Sequence, residues 1–405
     1  MNTRSSLRLF AAAATLTAAA VAHAQAPAAA PAPAQPASPT EAVEKIETKA
    51  VYVIPMKGEI GRVVSATPLK RVLDDARKAQ PDYLICVVDF DFSFGGRKVQ
   101  DSANATGGNA YNQLETVREL GVLLTDDIRD DATWTKKPQL IMWVKKALGG
   151  PAFLPFISPT IYYHSDALHG GIGYLEKAFD GRGDEVVREK QYSLRLGRAE
   201  GLAIKGGYDP RIIRGMSRSE VILSYDLVGG KAVLREDEEG LVVLTIDGSK
   251  DENKDTYENI IRGKGKAVLT LNARDALALG VSKGTVDTMD ELLSELGIAR
   301  NHTVVKAKAE SIFNNWSDDV AEAEASFARY WKAFNETEVS GADPAERNKA
   351  RGKKLGLLRN ITDLLRKYKE SINPRTIQGS PDGWENEIDR MTAQIQQQMR
   401  LDKVK

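Results

Sequence analysis

Residues Tyr83 to Val88 are apolar at every position, with no polar residue between them. A strand that meets water on one side alternates apolar and polar residues, because successive side chains point to opposite faces. A run without alternation has to be covered on both faces, which is the situation of strands inside a parallel sheet. The segments before it fit that reading. Ala50 to Met56 is rich in β-branched and aromatic residues and predicts a strand. Thr67 and Pro68 predict an N-cap and a first helical position, and Leu69, Val72, Leu73, Ala76 and Ala79 follow at helical spacing. Strand, helix, strand in that order implies a right-handed parallel crossover.

The alternation continues. Asp101 to Tyr111, rich in Gly and Asn, predicts a loop, and Tyr111 to Ile128 a helix. Gln139 to Val144 reads as a second buried strand, Thr160 to Tyr163 as another, and the region from Asp184 to Lys205 as a long helix. A β-rich patch, Val221 to Ile246, interrupts the pattern. A strand at Ala267 to Leu271 and short helices near Ala273 to Leu279 and Met289 to Leu296 complete it. Together these predict one α/β domain of about 250 residues. Cys86, the sole cysteine, lies within the apolar run and reads as a buried strand residue rather than a reactive thiol.

The two ends differ from this middle. Arg4 and Arg8 precede an apolar, Ala-rich stretch from Leu9 to Val21, and Ala22-His23-Ala24 is a small-x-small cleavage pattern. Residues 1–24 therefore read as a secretory signal peptide, too short in its apolar part for the ~20 residues of a membrane span. Residues 25–48, mostly Ala and Pro at first, read as a disordered linker. A soluble periplasmic or secreted protein follows as the expectation. At the other end Phe313, Trp316, Val320, Ala323, Phe327, Tyr330 and Phe334 alternate spacings of three and four. Leu358, Ile361, Leu365 and Tyr368 repeat the pattern, as do Trp384, Ile388, Met391, Ile395 and Met399. Residues 301–405 thus predict three amphipathic helices that fold back on one another or pair with another copy as a coiled coil. Lys plus Arg and Asp plus Glu number 56 each, so the chain carries no bias toward nucleic acid.

Two segments resemble a known family. Val51 to Ile60, then a helix, then Leu84 to Asp89 resembles the opening of NfeD-type and signal-peptide-peptidase-type serine proteases of the Clp-protease/crotonase superfamily. Gly265 to Asn272, Ala273 to Ala276, Leu279 to Val281 and Val286 to Leu293 are similar to the closing segment of the NfeD-type domain. The resemblance spans about residues 49–298, and the Clp/crotonase-like domain is expected over 49–300. It implies an α/β fold of repeated β-β-α or β-α units, with the C-terminal helical segment lying outside it.

The resemblance also implies a site. In the family a nucleophilic serine opens a helix after the third strand, and backbone N–H groups of a glycine turn help to bind the oxyanion, a contribution of several kcal/mol in such enzymes. Here Gly149 falls on the serine, and glycine offers no hydroxyl. Gly95, Gly96 and Gly150 fall on the N–H donors, and Lys190 falls near the general-base lysine. Other serines present are Ser93, Ser158 and Ser165; with His164, His169, Asp89 and Asp91 they allow a relocated triad without any local signature for one. His164, Asp166 and His169 do not have metal-ligand spacing.

The resulting expectation is an exported, catalytically inactive Clp-protease-like scaffold or peptide-binding protein that needs no cofactor or metal. Its implied partners are an extended peptide or protein and further copies of itself. The alternatives are an active serine-type peptidase with a relocated nucleophile and a crotonase-like acyl-thioester enzyme.

Overall fold

In the computed structural model the described residues are 47–90, 104–173 and 183–404. The signal peptide, nearly all of the Ala/Pro linker, and Asp91, Ser93, Gly95 and Gly96 lie outside them. Among the described residues no helix is long and apolar enough to cross a membrane.

The chain opens with β1 (Lys49–Gly58), α1 (Ala66–Ala79), β2 (Tyr83–Phe90) and α2 (Asn104–Val122). A π-helical turn at Leu123–Asp127 runs into the short α3 (Ile128–Asp130), and β3 (Gln139–Leu148) follows. Two 3-10 turns, Gly150–Phe153 and Pro155–Ile157, lead to β4 (Ile161–Gly170). Next come α4 (Glu185–Gly206), α5 (Pro210–Ser217), β5 (Leu223–Val228), β6 (Lys231–Arg235) and β7 (Val242–Thr245). Then α6 (Tyr257–Ile261), β8 (Thr270–Leu271), α7 (Ala273–Ala278), α8 (Met289–Glu295) and β9 (His302–Val304) precede three long helices. These are α9 (Ala309–Glu336), α10 (Pro344–Tyr368) and α11 (Pro381–Val404).

The main sheet has the order β8-β4-β3-β2-β1-β9. All neighbours are parallel except β4 with β8. Ile54, Cys86, Met142 and Ile161 lie in one register row across four strands. The unalternating apolar runs have their cause here. Tyr52, Ile54, Met56, Leu84, Cys86, Val88, Met142 and Val144 pack into the larger core on one face. Val51, Ile85, Val87, Ile141 and Trp143 pack into a second core on the other, closed by Val286, Leu292, Leu293 and Ile298 around α8. Each fully buried Leu, Ile or Met contributes about 1.5–3 kcal/mol by leaving water. Cys86 is fully buried, and burial pushes its thiol well above the usual range, so it is inert in the folded chain.

The β-rich patch forms a separate antiparallel sheet, β6-β5-β7. Two expectations change. The Gly/Asn-rich segment has helical backbone from Asn104 onward. Helix α2 packs on the 3-10 turn at Gly150–Phe153, and tertiary packing outweighs the poor propensity of Gly107 and Gly108. The N-cap of α1 is Ser65, ahead of the Thr67-Pro68 pair, and its own side chain caps nothing. Instead Glu370, from beyond α10, accepts from the Thr67 N–H at 2.9 Å and from Ser65 Oγ at 3.1 Å.

Helices α9, α10 and α11 form antiparallel neighbours, as the pairs Trp316–Tyr368 and Arg366–Glu385 show. Their heptad residues build one apolar cluster from Trp316 to Ile395. Ala309 and Phe313, at the start of α9, belong instead to the larger core beneath the sheet.

Candidate functional site

The first four strands run parallel, so Gly58, Phe90, Leu148 and Gly170 mark one edge of the sheet, the edge where open α/β sheets bind ligands. Gly149 follows directly on β3. Its φ is +72°, a region open to glycine and strained for other residues. Its N–H donates to the Gly170 carbonyl at 2.9 Å, tying the end of β3 to the end of β4. That N–H is therefore committed. Gly150 opens a 3-10 turn rather than an α-helix, with Pro151 next to it. Every residue from Gly150 to Ile157 is buried. The turn is packed under α2 and α4 rather than displayed at a cleft.

His169, fully buried, holds this segment from below. Its Nε2 lies 2.7 Å from the Ala152 carbonyl, which can only accept, so Nε2 carries the proton. Nδ1 therefore accepts from the Tyr163 hydroxyl. The Phe156 ring packs against it at a tilt, with ring centroids 4.9 Å apart. Burial pushes the imidazole down to about 4, so it is neutral near pH 7. With both nitrogens engaged, His169 is a structural clamp and has no lone pair left for a serine.

The other serines resolve in the same way. Ser158 is fully buried, and its Oγ donates to the Leu140 carbonyl at 2.8 Å. Ser165 is exposed in a bulge of β4, and its N–H donates to Asp287 at 2.7 Å. That bond, the largest cause, lowers the Asp287 carboxyl below its ordinary value. The neighbouring His164 has Nε2 3.6 Å from Asp287, and its Nδ1 accepts from the Asp166 N–H at 3.2 Å. Nδ1 is thus engaged, whereas Nε2 lies beside Asp287 beyond hydrogen-bond distance. Among the described residues no group of His, Cys, Asp and Glu is placed to hold a metal ion.

Lys190 lies on α4, exposed. Nine residues separate it from the buried Ala199. At about 3.6 residues per turn that is two and a half turns, so Lys190 sits on the opposite, solvent side. Of the glycines expected as N–H donors, Gly95 and Gly96 lie outside the described residues.

One residue escaped the sequence reading. Gln113 of α2 reaches over Gly150: a Cβ built on Gly150 would lie 1.8 Å from Gln113 Oε1 and 2.7 Å from its Cβ and Cδ. Position 150 is thus glycine because a neighbouring side chain fills its space. No local motif marks Gln113, and only the packing of α2 on the turn brings the two together.

No family model matches the chain. The membrane protein NfeD1b of Bacillus subtilis (strain 168) is 24% identical over 256 residues, 63% of this chain and 43% of that protein. The match thus spans less than half of that relative's length. Two solved structures of the 1510-N membrane-bound stomatin-specific protease also match at 14% identity. One is a serine-to-alanine mutant with a TM-score of 0.35, covering 64% of this chain and 98% of that one. The other is a lysine-to-alanine mutant in complex with a substrate peptide, with a TM-score of 0.36 and coverage of 67% and 99%. Over those 256 residues this α/β chain is similar to an NfeD-type protein, and that similarity supports the Clp-protease/NfeD-type resemblance read from the sequence.

Proposed function

We propose that this Clp-protease-like protein is a catalytically inactive member of its superfamily, an exported scaffold that holds an extended peptide. The observation that carries this reading is Gly149. It stands where the resemblance puts the nucleophile, has no side chain, adopts a backbone conformation that disfavours one, and spends its N–H on Gly170. Covalent acyl transfer needs a hydroxyl beside a base. Ser158 and His169 are otherwise engaged, Ser165 is bonded to Asp287, and Lys190 faces solvent on α4. Export is part of the proposal and rests on the signal-like pattern of residues 1–24.

Incubation of the purified protein with a fluorophosphonate probe tests the inactive reading. No covalent labelling is expected under conditions that label an active serine peptidase. Labelling that disappears on substitution of one serine would establish an active enzyme with a relocated nucleophile.

A further inference from the structure

We propose that the C-terminal helices carry a binding site for a neutral saccharide, in an open cavity between α9 and the turn that leads into α11. The cavity is lined by residues of the helical segment alone and stands independently of the peptide-holding reading above.

The volume is about 430 Å3, within the range of small-ligand sites. The floor is aromatic. Phe327 and Trp331 stand four residues apart on α9 and so share one face of it. Trp384 of α11 meets both rings nearly at right angles, at 75° and 73°, with centroids 5.1 and 4.7 Å away. Phe327 is buried, whereas Trp331 and Trp384 are half-buried where they line the cavity. The Trp384 indole N–H donates to the Ile377 carbonyl at 2.7 Å, so this ring offers the cavity apolar surface and no donor.

The rim is polar and neutral. Lys332 and Glu336, one helical turn apart, pair with each other at 3.7 Å, and they are the charged residues of the lining. The rest of the rim is amide and hydroxyl, from the exposed Asn335, Thr376 and Gln378, each of which both donates and accepts. Gln378 stands at a φ of +54°, a region that glycine adopts without strain. Among the described residues the other non-glycine at positive φ is Gln80, whose carboxamide is bonded to the Arg77 and Thr133 carbonyls at 2.8 and 3.0 Å. At Gln378 the conformation belongs to the turn in which the Gly379 N–H donates to the Pro374 carbonyl at 2.8 Å. A turn by itself would be served better by glycine, and here it sets a carboxamide at the mouth of the cavity.

This combination selects the ligand. A sugar ring has C–H faces that pack on aromatic surface and a girdle of hydroxyls that donate and accept, which matches an aromatic floor under a neutral rim. A carboxylate or phosphate would call for a cation to receive it, and the lysine of the rim spends its charge on Glu336. A quaternary ammonium needs a cage of rings that it can enter. Trp331 and Trp384, with centroids 4.7 Å apart, leave no gap between them for one.

The test titrates the whole chain with chitotriose and with cellotriose, two neutral trisaccharides, and follows calorimetry and tryptophan emission. Saturable binding of at least one, with a change in emission, is expected. Gln378→Gly removes the carboxamide and relieves the positive φ. It should weaken binding about tenfold, the loss of one or two neutral hydrogen bonds, while the thermal midpoint stays the same or rises. Trp331→Ala should abolish binding. Trp331→Phe keeps an aromatic ring in the bundle, so it remains informative if the alanine variant misfolds, and it should weaken binding by a smaller factor. The assignment is overturned if the wild type binds neither trisaccharide, or if Gln378→Gly and Trp331→Phe both keep the wild-type Kd. An end-blocked octapeptide of alternating leucine and alanine is titrated in parallel. Binding of that peptide without either sugar, lost in the same variants, would make the cavity a protein-docking site and would also overturn the assignment.

Discussion

At the scale of single residues, the site is held by groups that look catalytic in the sequence and act as fasteners in the fold. His169 illustrates it. A histidine near serines and aspartates invites a triad, yet both nitrogens are used to fix the turn Gly150–Phe153 to β4. A buried neutral imidazole has a consequence in acid. Its folded value, about 4, lies below the ordinary 6.5. The stability it contributes is therefore present above pH 6.5 and is lost as pH falls from there toward 4. The gap corresponds to about 3 kcal/mol. Urea unfolding at pH 7 and pH 4.5 should show that loss, and a His169→Asn variant, less stable at pH 7, should show a smaller one. Parallel losses in the two proteins would mean that another group titrates. The family pattern singled out Gly149 in the sequence, but nothing there gave the reason for Gly150. It lies in a contact with Gln113, 37 positions earlier in the chain, and no local rule encodes such a contact.

At the scale of elements, the junction between α1 and the C-terminal helices was the least legible part. The heptad spacing of α9 to α11 marked which faces are apolar, and the fold confirms three helices with those faces turned inward. It could not mark what α9 does next to the turn after β1. There Glu324 accepts from Arg62 through two bonds, at 2.6 and 3.0 Å, and from the Asn373 N–H at 2.9 Å. The Trp316 indole donates to the Arg62 carbonyl at 3.1 Å. Both charges are largely buried, with side-chain exposures of 22% and 10%. Pairing with Glu324 raises the Arg62 guanidinium further above its ordinary value. Removing one partner of such a pair strands the other. Glu324→Ala should cost about 3 kcal/mol in chemical denaturation, and replacing both with apolar residues of similar size should cost less. A single-variant cost below about 0.5 kcal/mol would show that the junction carries no stability.

At the scale of the molecule, residues Ile46–Lys405 form one compact unit. Strand β9 closes the sheet beside β1, with Lys49, Ala50 and Val51 opposite His302, Thr303 and Val304. Phe313 then enters the larger core and Glu370 caps α1. A chain ending at residue 301 loses all three. It should fail to show a cooperative thermal transition, and in the intact protein Trp fluorescence and far-UV circular dichroism should report one coincident transition. A truncated chain with the midpoint of the intact one would refute this. By itself the sequence determined the parallel sheet, because unalternating apolar runs have to be covered on both faces. It also determined the bundle's apolar seams, since periodicity is a local property. Only the tertiary structure decided that His169 is a clamp, that Gln113 fills the place of a side chain at Gly150, and that Glu370 caps α1 from 303 positions away. Those outcomes depend on which distant groups meet, and that is set by how the layers pack.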